Sequence, residues 1–167
     1  MKARLLVLMV SMSCSSATPF VSVASTTTAS SVVPTTTTAP AFDAGDLTSF
    51  EPHTIALGTT ELIVALADEE SERQQGLAGV TDLGGFEGML FAWDDEVTTG
   101  FWMKDTPIAL DLIFFDSEGA IVEQTSLEPC LAEPCPVFVA DGLFRWVLEA
   151  PAGSIQATGK LSFPEAD

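Results

Sequence analysis

A two-residue apolar rhythm, recurring through the latter two thirds of the chain, constrains the fold more than any other feature. Between Glu61 and Ala67, Leu62, Val64 and Leu66 fall on one side, and Glu61, Ile63 and Ala65 on the other. Phe144 to Ala150 alternates again and is closed by Pro151 and Gly153. Successive side chains leave a β-strand on opposite faces, so this rhythm predicts strands. Gly88 to Trp93, Phe101 to Lys104, Ile108 to Asp116 and Ala120 to Thr125 read as further strands; Pro107 separates two of them and Ser117-Glu118-Gly119 turns the last pair into a hairpin. Gly84-Gly85 marks a turn, and Asp94-Asp95-Glu96 reads as a solvated turn rather than a Ca²⁺ site, since no EF-hand pattern surrounds it. A single helix fits. Asp68 is its N-cap, Glu69, Glu70 and Glu72 put carboxylates in a first turn where the helix dipole favours them, and Gly76 ends it. One helix among six or seven strands predicts an α+β, β-rich domain: a mostly antiparallel sheet or partly closed barrel with one or two short helices.

The first fifty residues carry none of this rhythm. Lys2 and Arg4 precede the apolar run Leu5 to Val10, then Ser11, Met12, Ser13 and Cys14. A positive start, a short apolar centre and small residues describe a secretory signal, and the run is far shorter than the roughly 20 residues of a membrane span. Two processing outcomes fit. Cys14 stands where exported lipoproteins carry a lipid-modified Cys, although Ser11 replaces the usual aliphatic residue. Cleavage after Ser22-Val23-Ala24 is the alternative, giving a secreted or periplasmic protein. Residues 15–50 are rich in Ser, Thr, Ala, Val and Pro and read as a disordered stalk, with Thr35-Thr36-Thr37-Thr38 between Pro34 and Pro40. The uncharged part of it would reach on the order of 30 Å at coil dimensions. The single folded domain is expected over residues 51–167.

Charge narrows the function. The chain has 167 residues, six Lys+Arg and 24 Asp+Glu, for a net charge of -18, and all the acids lie at or after Asp43. Nucleic-acid binding relies on Lys and Arg neutralising phosphates and is all but excluded. Attraction to an anionic membrane by charge is excluded in the same way, which leaves a lipid on Cys14 as the only membrane link. The single histidine, His53, rules out a His-rich metal site. In an exported protein, Cys130 and Cys135 are expected to form a disulfide, leaving Cys14 unpaired for lipidation. No basic residue stands near them to stabilise a thiolate, which argues against a redox role.

At this point the sequence resembles the domain-of-unknown-function family 192, small proteins often found behind a signal peptide. The resemblance runs from about Glu61 to Gly153. It rests on Arg73 with Gly76-Leu77, on Gly88-Met89-Leu90-Phe91, on Phe101-Trp102-Met103-Lys104 with Thr106, and on Leu110-Asp111. Further on it includes Cys130, Cys135-Pro136 and Val147-Leu148-Glu149. The chain departs from the family pattern at Asp105, where Asn is usual, at Ala109, where Pro is usual, and at Ala78 and Val80, where Met and Arg are usual. The resemblance implies a fold class but carries no agreed activity.

The candidate site follows from the scarcity of bases. Asp111 shares a strand face with Ala109, Ile113 and Phe115, and the opposite face is apolar too. A carboxylate so placed needs a donor or a cation. Only Arg73, Lys104, Arg145 and Lys160 could supply a cation within the domain. The functional expectation is a ligand pocket in which Lys104, Asp111 and Arg73 meet Trp102, Met89 and Met103, with Glu149 as a further candidate. The structural alternative is an ion pair that fixes one strand pairing. Arg145 and Glu149 share a face of the last strand and could pair with each other. The resulting expectation is an exported, lipid-anchored, non-catalytic domain that binds a small molecule or envelope component. It assigns no catalytic residue, metal or cofactor. The alternatives are a cell-envelope enzyme using Asp111 and Lys104, and a structural protein-interaction module.

Overall fold

The computed structural model describes residues 47–164. Lipidation of Cys14, cleavage after Ala24 and most of the stalk lie outside the described residues. The strands are β1 (Pro52–Leu57), β2 (Thr60–Ala67), β3 (Gly88–Val97), β4 (Gly100–Trp102), β5 (Leu110–Phe115), β6 (Ile121–Leu127), β7 (Val137–Val139), β8 (Phe144–Pro151) and β9 (Leu161–Ser162), with one helix, α1 (Glu70–Gln75), between β2 and β3. Seven strands form one sheet in the order β6-β5-β8-β3-β2-β1-β9, and β4 and β7 pair as a separate ribbon. Every neighbouring pair in the large sheet is antiparallel except β2 and β3. That pair is parallel because the chain returns through α1 and the following loop, and parallel neighbours require such a crossover. The α+β, β-rich class holds.

Three strands escaped the sequence reading. β7 and β9 are three and two residues long, too short to show a period. β1 does alternate at its end, where Ile55 and Leu57 are buried beside exposed Thr54, but it abuts the stalk-like composition. Asp94 to Glu96 form no turn: β3 runs on to Val97, its register against β8 shifting between Ala92 and Val97. The helix starts one residue later than expected, with Glu69 as N-cap. The Glu72 carboxylate accepts the Glu69 backbone N–H at 3.1 Å, closing a capping box.

Both faces of the large sheet are covered. On one, Met89, Phe91, Leu112, Phe114 and Val147 pack beneath the ribbon and beneath Leu77 and Val80 of the crossover. On the other, Ile55, Val64, Leu90, Ile113 and Leu148 are closed over by Leu161, Ile155 and Ala157. Each fully buried large apolar side chain contributes about 1.5–3 kcal/mol. Leu47 and Phe50 are buried against the first core, so packing begins before the boundary at residue 51 read from the sequence.

The sheet curls until its ends meet. The Leu161 N–H on β9 donates to the Gly119 carbonyl, in the β5–β6 turn at the opposite end of the sheet, at 2.8 Å. Gly119 has φ 78°, and a Cβ there would stand 2.1 Å from the Leu161 carbonyl oxygen. Gly119→Ala should therefore cost about 2 kcal/mol, since an L-residue is strained at that φ and the closing strand must also move. Urea unfolding measures the loss directly, and an unchanged midpoint would show that the closure contributes nothing.

Candidate functional site

The structure disperses the residues expected to form one pocket. Asp111 lies where it was expected, half-buried on the β5 face that carries Ile113 and Phe115. Its partners are not cations. One carboxylate oxygen accepts the Ser126 hydroxyl at 2.5 Å and the other accepts the Gly153 backbone N–H at 2.7 Å. Ser126 stands directly opposite Asp111 in the β5–β6 ladder, and Gly153 follows β8 on the other side. Asp111 thus ties β6, β5 and the turn after β8 together. The donors to this carboxylate are a hydroxyl and a backbone amide.

Lys104 is committed elsewhere. Its ammonium lies 3.3 Å from the Glu133 carboxylate and 5.6 Å from the centre of the Trp102 ring. Glu133 sits in the loop closed by the Cys130–Cys135 disulfide, and its carboxylate also accepts the Cys135 N–H at 3.2 Å. That backbone hydrogen bond and then Lys104 hold the Glu133 carboxyl below its ordinary value. A bridge over so short a loop contributes about 2 kcal/mol on the chain-entropy model, and the exposed Lys104–Glu133 pair about 0–1 kcal/mol. The expected meeting of Lys104 with Asp111 is corrected: each has its own partners.

The remaining candidates lie on other elements of the fold. Arg73 projects from α1, donates to the carbonyls of Asp68 and, at 2.9 Å, Ala92, and lies 5.4 Å from the Trp93 ring centre. It fastens the helix to β3. Arg145 donates to the Trp93 carbonyl at 3.1 Å and stacks 4.8 Å over Trp146, so it makes no pair with Glu149. Met89 is wholly buried. Glu149 is 6% exposed and stands opposite Met89 on β3 and Leu112 on β5. Burial pushes its carboxyl up to about 8. Asp105, one departure from the family pattern, has φ 56°. Asn and Asp are the side chains that best tolerate this left-handed region, so the exchange preserves the backbone.

Two recesses flank the end of β6. The first, about 480 Å³, is bordered by Asp111, Gln124, Ser126, Gln156 and Thr158 over a floor of Ile113 and Ile155. Asp111 is its one charged lining residue. The second, about 410 Å³, is more apolar and lies between Leu127, Cys130, Met103 and the β7 residues Val137 and Phe138. Of the residues expected in a pocket, Asp111 thus lines the first and Met103 the second. The polar side chains around Asp111 were missed: the turn Ser117-Glu118-Gly119 alone would set Thr125 opposite Asp111, and the register shift between Phe114 and Phe115 brings Ser126 there instead. Among the described residues no group of three or more His, Cys, Asp or Glu is arranged to hold a metal ion.

Two solved structures share this fold. One is a proposed transcription regulator from Sinorhizobium meliloti, 27% identical, matching 68% of this chain and 95% of its own with a TM-score of 0.58. The other is a protein of unknown function from Novosphingobium aromaticivorans, 23% identical, matching 72% of this chain and 91% of its own with a TM-score of 0.58. No curated protein matches the chain. The sequence profile of DUF192, described as an uncharacterized ACR, matches residues 53–160, which span β1 to the edge of β9. With every strand of the curled sheet but β9, the ribbon and the Phe-Trp-Met-Lys segment within that match, the chain belongs to the DUF192 family.

Proposed function

We propose that this domain is an exported, non-catalytic binding module, tethered through a lipid on Cys14, that holds a small polar molecule in the cleft beside Asp111. The observation that carries the reading is the cleft itself: about 480 Å³, within the usual size of ligand sites, with one carboxylate fixed by two strong donors. Each Asp111 oxygen accepts one hydrogen bond and keeps a second lone pair for a ligand. Gln124, Gln156 and Thr158 offer donors and acceptors at the rim, and no base lines the cleft. A neutral polyol or an amine suits this lining, whereas an anion would meet Asp111 without a counter-charge. The enzyme alternative needs Asp111 and Lys104 to act together, and their separate partners give it no support. A regulator acting on DNA is likewise disfavoured by the net charge of -18.

Thermal unfolding with spermidine, glucosamine, glucose and glucose 6-phosphate, each at millimolar concentration, tests the reading. A ligand at a hundredfold its Kd stabilises by about 2.7 kcal/mol, which raises Tm by several degrees in a domain of this size. The amine or polyol should give that rise and the phosphate should not. Gln156→Trp, at an exposed position, should fill the cleft and remove the effect without lowering the unliganded Tm. A shift that survives this substitution, or no shift with any of the four compounds, overturns the assignment.

A further inference from the structure

The β4–β7 ribbon presents two unlike faces. Phe101 and Phe138 turn inward to the aromatic core, while Trp102, Val137 and Val139 stand outward at 55%, 58% and 51% exposure. Trp102 is paired directly with Val137, so these side chains form one continuous apolar strip. A monomer gains nothing by leaving such a strip in water, and strips of this kind mark contact surfaces. The strip adjoins the second recess, about 410 Å³, to which Val137 also contributes.

Strand edges add a second observation. Among the described residues, β7 makes no backbone hydrogen bonds beyond those to β4, and β6, on the other side of the recess, pairs only with β5. An unpaired edge beside an apolar recess is the geometry by which an extended peptide adds to a sheet, its backbone pairing with the edge and one side chain filling the recess.

Charge chooses the occupant. Glu128 lines the recess and Asp141 follows β7. No base lines the recess, and Lys104, next to its lining residue Met103, is already paired with Glu133. We infer that β7 and its adjoining recess form a docking site for an extended segment of a partner protein, in which Lys or Arg residues flank one bulky apolar side chain. The apolar side chain enters the recess between Leu127 and Phe138, the backbone pairs with β7, and the flanking cations meet the acidic rim. This surface meets the cleft at Asp111 at Ser126, which lines both recesses, but β7 and its strip take no part in that cleft, so the proposal is tested independently of it.

The test uses the full chain and three fluorescein-labelled peptides: a basic one, Lys-Val-Lys-Val-Leu-Val-Lys-Val-Lys; its counterpart with every Lys replaced by Glu; and the basic peptide N-methylated at alternate residues. Fluorescence anisotropy should show micromolar binding of the first and at least tenfold weaker binding of the other two. Val137→Asp, at an exposed position, should weaken the basic peptide at least tenfold, whereas Ile63→Asp on β2 should not. Val137→Asp makes the surface more acidic, so simple electrostatic adsorption would strengthen. That outcome, equal binding of the N-methylated peptide, or no binding at millimolar concentration overturns the proposal. So would a concentration-dependent dimer abolished by Val137→Asp, which would assign the strip to a second copy. Cosedimentation with phosphatidylcholine vesicles that Val137→Asp abolishes would likewise assign it to a lipid surface.

Discussion

Glu149→Gln should leave stability almost unchanged near pH 4.5 and raise it by a few kcal/mol at pH 8, as measured by urea unfolding at each pH. Glu149 is buried between Met89 and Leu112, and burial moves its carboxyl from the ordinary 4.5 up to about 8. Among the described residues no base compensates it. Lys104 and Lys160 pair with Glu133 and Glu118, and Arg73 and Arg145 donate to backbone carbonyls. At neutral pH the folded protein therefore keeps a proton on Glu149 that the unfolded chain has released. The native state binds more protons across this window, so stability falls as pH rises from about 4.5 towards 8. The contribution is intact below the unfolded value and lost above the folded one. A full one-proton difference amounts to about 1.4 kcal/mol per pH unit. Glutamine keeps the shape without titrating, and comparing the two proteins at both ends of the window cancels any constant cost of the amide. Glu96 and Glu133 do not obscure the result. Hydrogen bonds from Ser117 and Cys135 lower their pKa values, so their stabilisation is lost as pH falls below the window. Parallel stability curves for wild type and Glu149→Gln between pH 5 and 8 would show that the carboxyl is hydrated.

The sequence carried most of the large sheet and little of the site. Alternation of residue type found β2 and β8, although burial alternates only in the first half of β2 and β8 buries Val147 to Ala150 without a break, and β5 was located through its doubly apolar run. It could not find β7 or β9, whose place is set by what they pair with. The burial of Asp111 was legible, but its partners were sought among cations because bases are scarce and ion pairs are easy to imagine from sequence. The turn Ser117-Glu118-Gly119 by itself sets Thr125 opposite Asp111, and only the register shift between Phe114 and Phe115 brings the Ser126 hydroxyl there, so that partner was out of reach. So was the Gly153 amide, because its position depends on how the chain leaves β8. Lys104 and Asp111 lie close in sequence, but between them the chain passes from the ribbon into the large sheet, and no residue pattern reports that change of layer.

Phe114→Ala should cost about 3–5 kcal/mol, the range for deleting a large buried aromatic, and should free the ribbon before it unfolds the sheet. Phe114 is wholly buried on β5, with ring centres 5.4 Å from Phe101 on β4, 5.7 Å from Phe138 on β7 and 5.0 Å from Phe144 on β8. One side chain therefore touches both ribbon strands and the sheet beneath. Phe101 is held to the sheet by Phe91, Trp93 and Phe144 as well, but among the described residues Phe114 is the one ring in contact with Phe138. The ribbon's disulfide loop makes one long hydrogen bond, from the Cys130 N–H to the Met103 carbonyl at 3.4 Å, and the Lys104–Glu133 pair is internal to this region. The β5–β8 and β5–β6 ladders do not depend on the ring, so the sheet keeps its hydrogen bonds when the ring is removed. Phe114→Leu, which refills most of the volume, should cost about 1–1.5 kcal/mol. Phe163→Ala, at a ring 44% exposed that packs on Trp146, should cost under about 1 kcal/mol. Guanidinium unfolding ranks the three variants. Limited proteolysis locates the effect: cuts in Phe114→Ala should fall first around β4 and in the loop before β7. If they fall first in β5 or β8 instead, the ribbon is held by its own pairing and the ring supports the sheet alone.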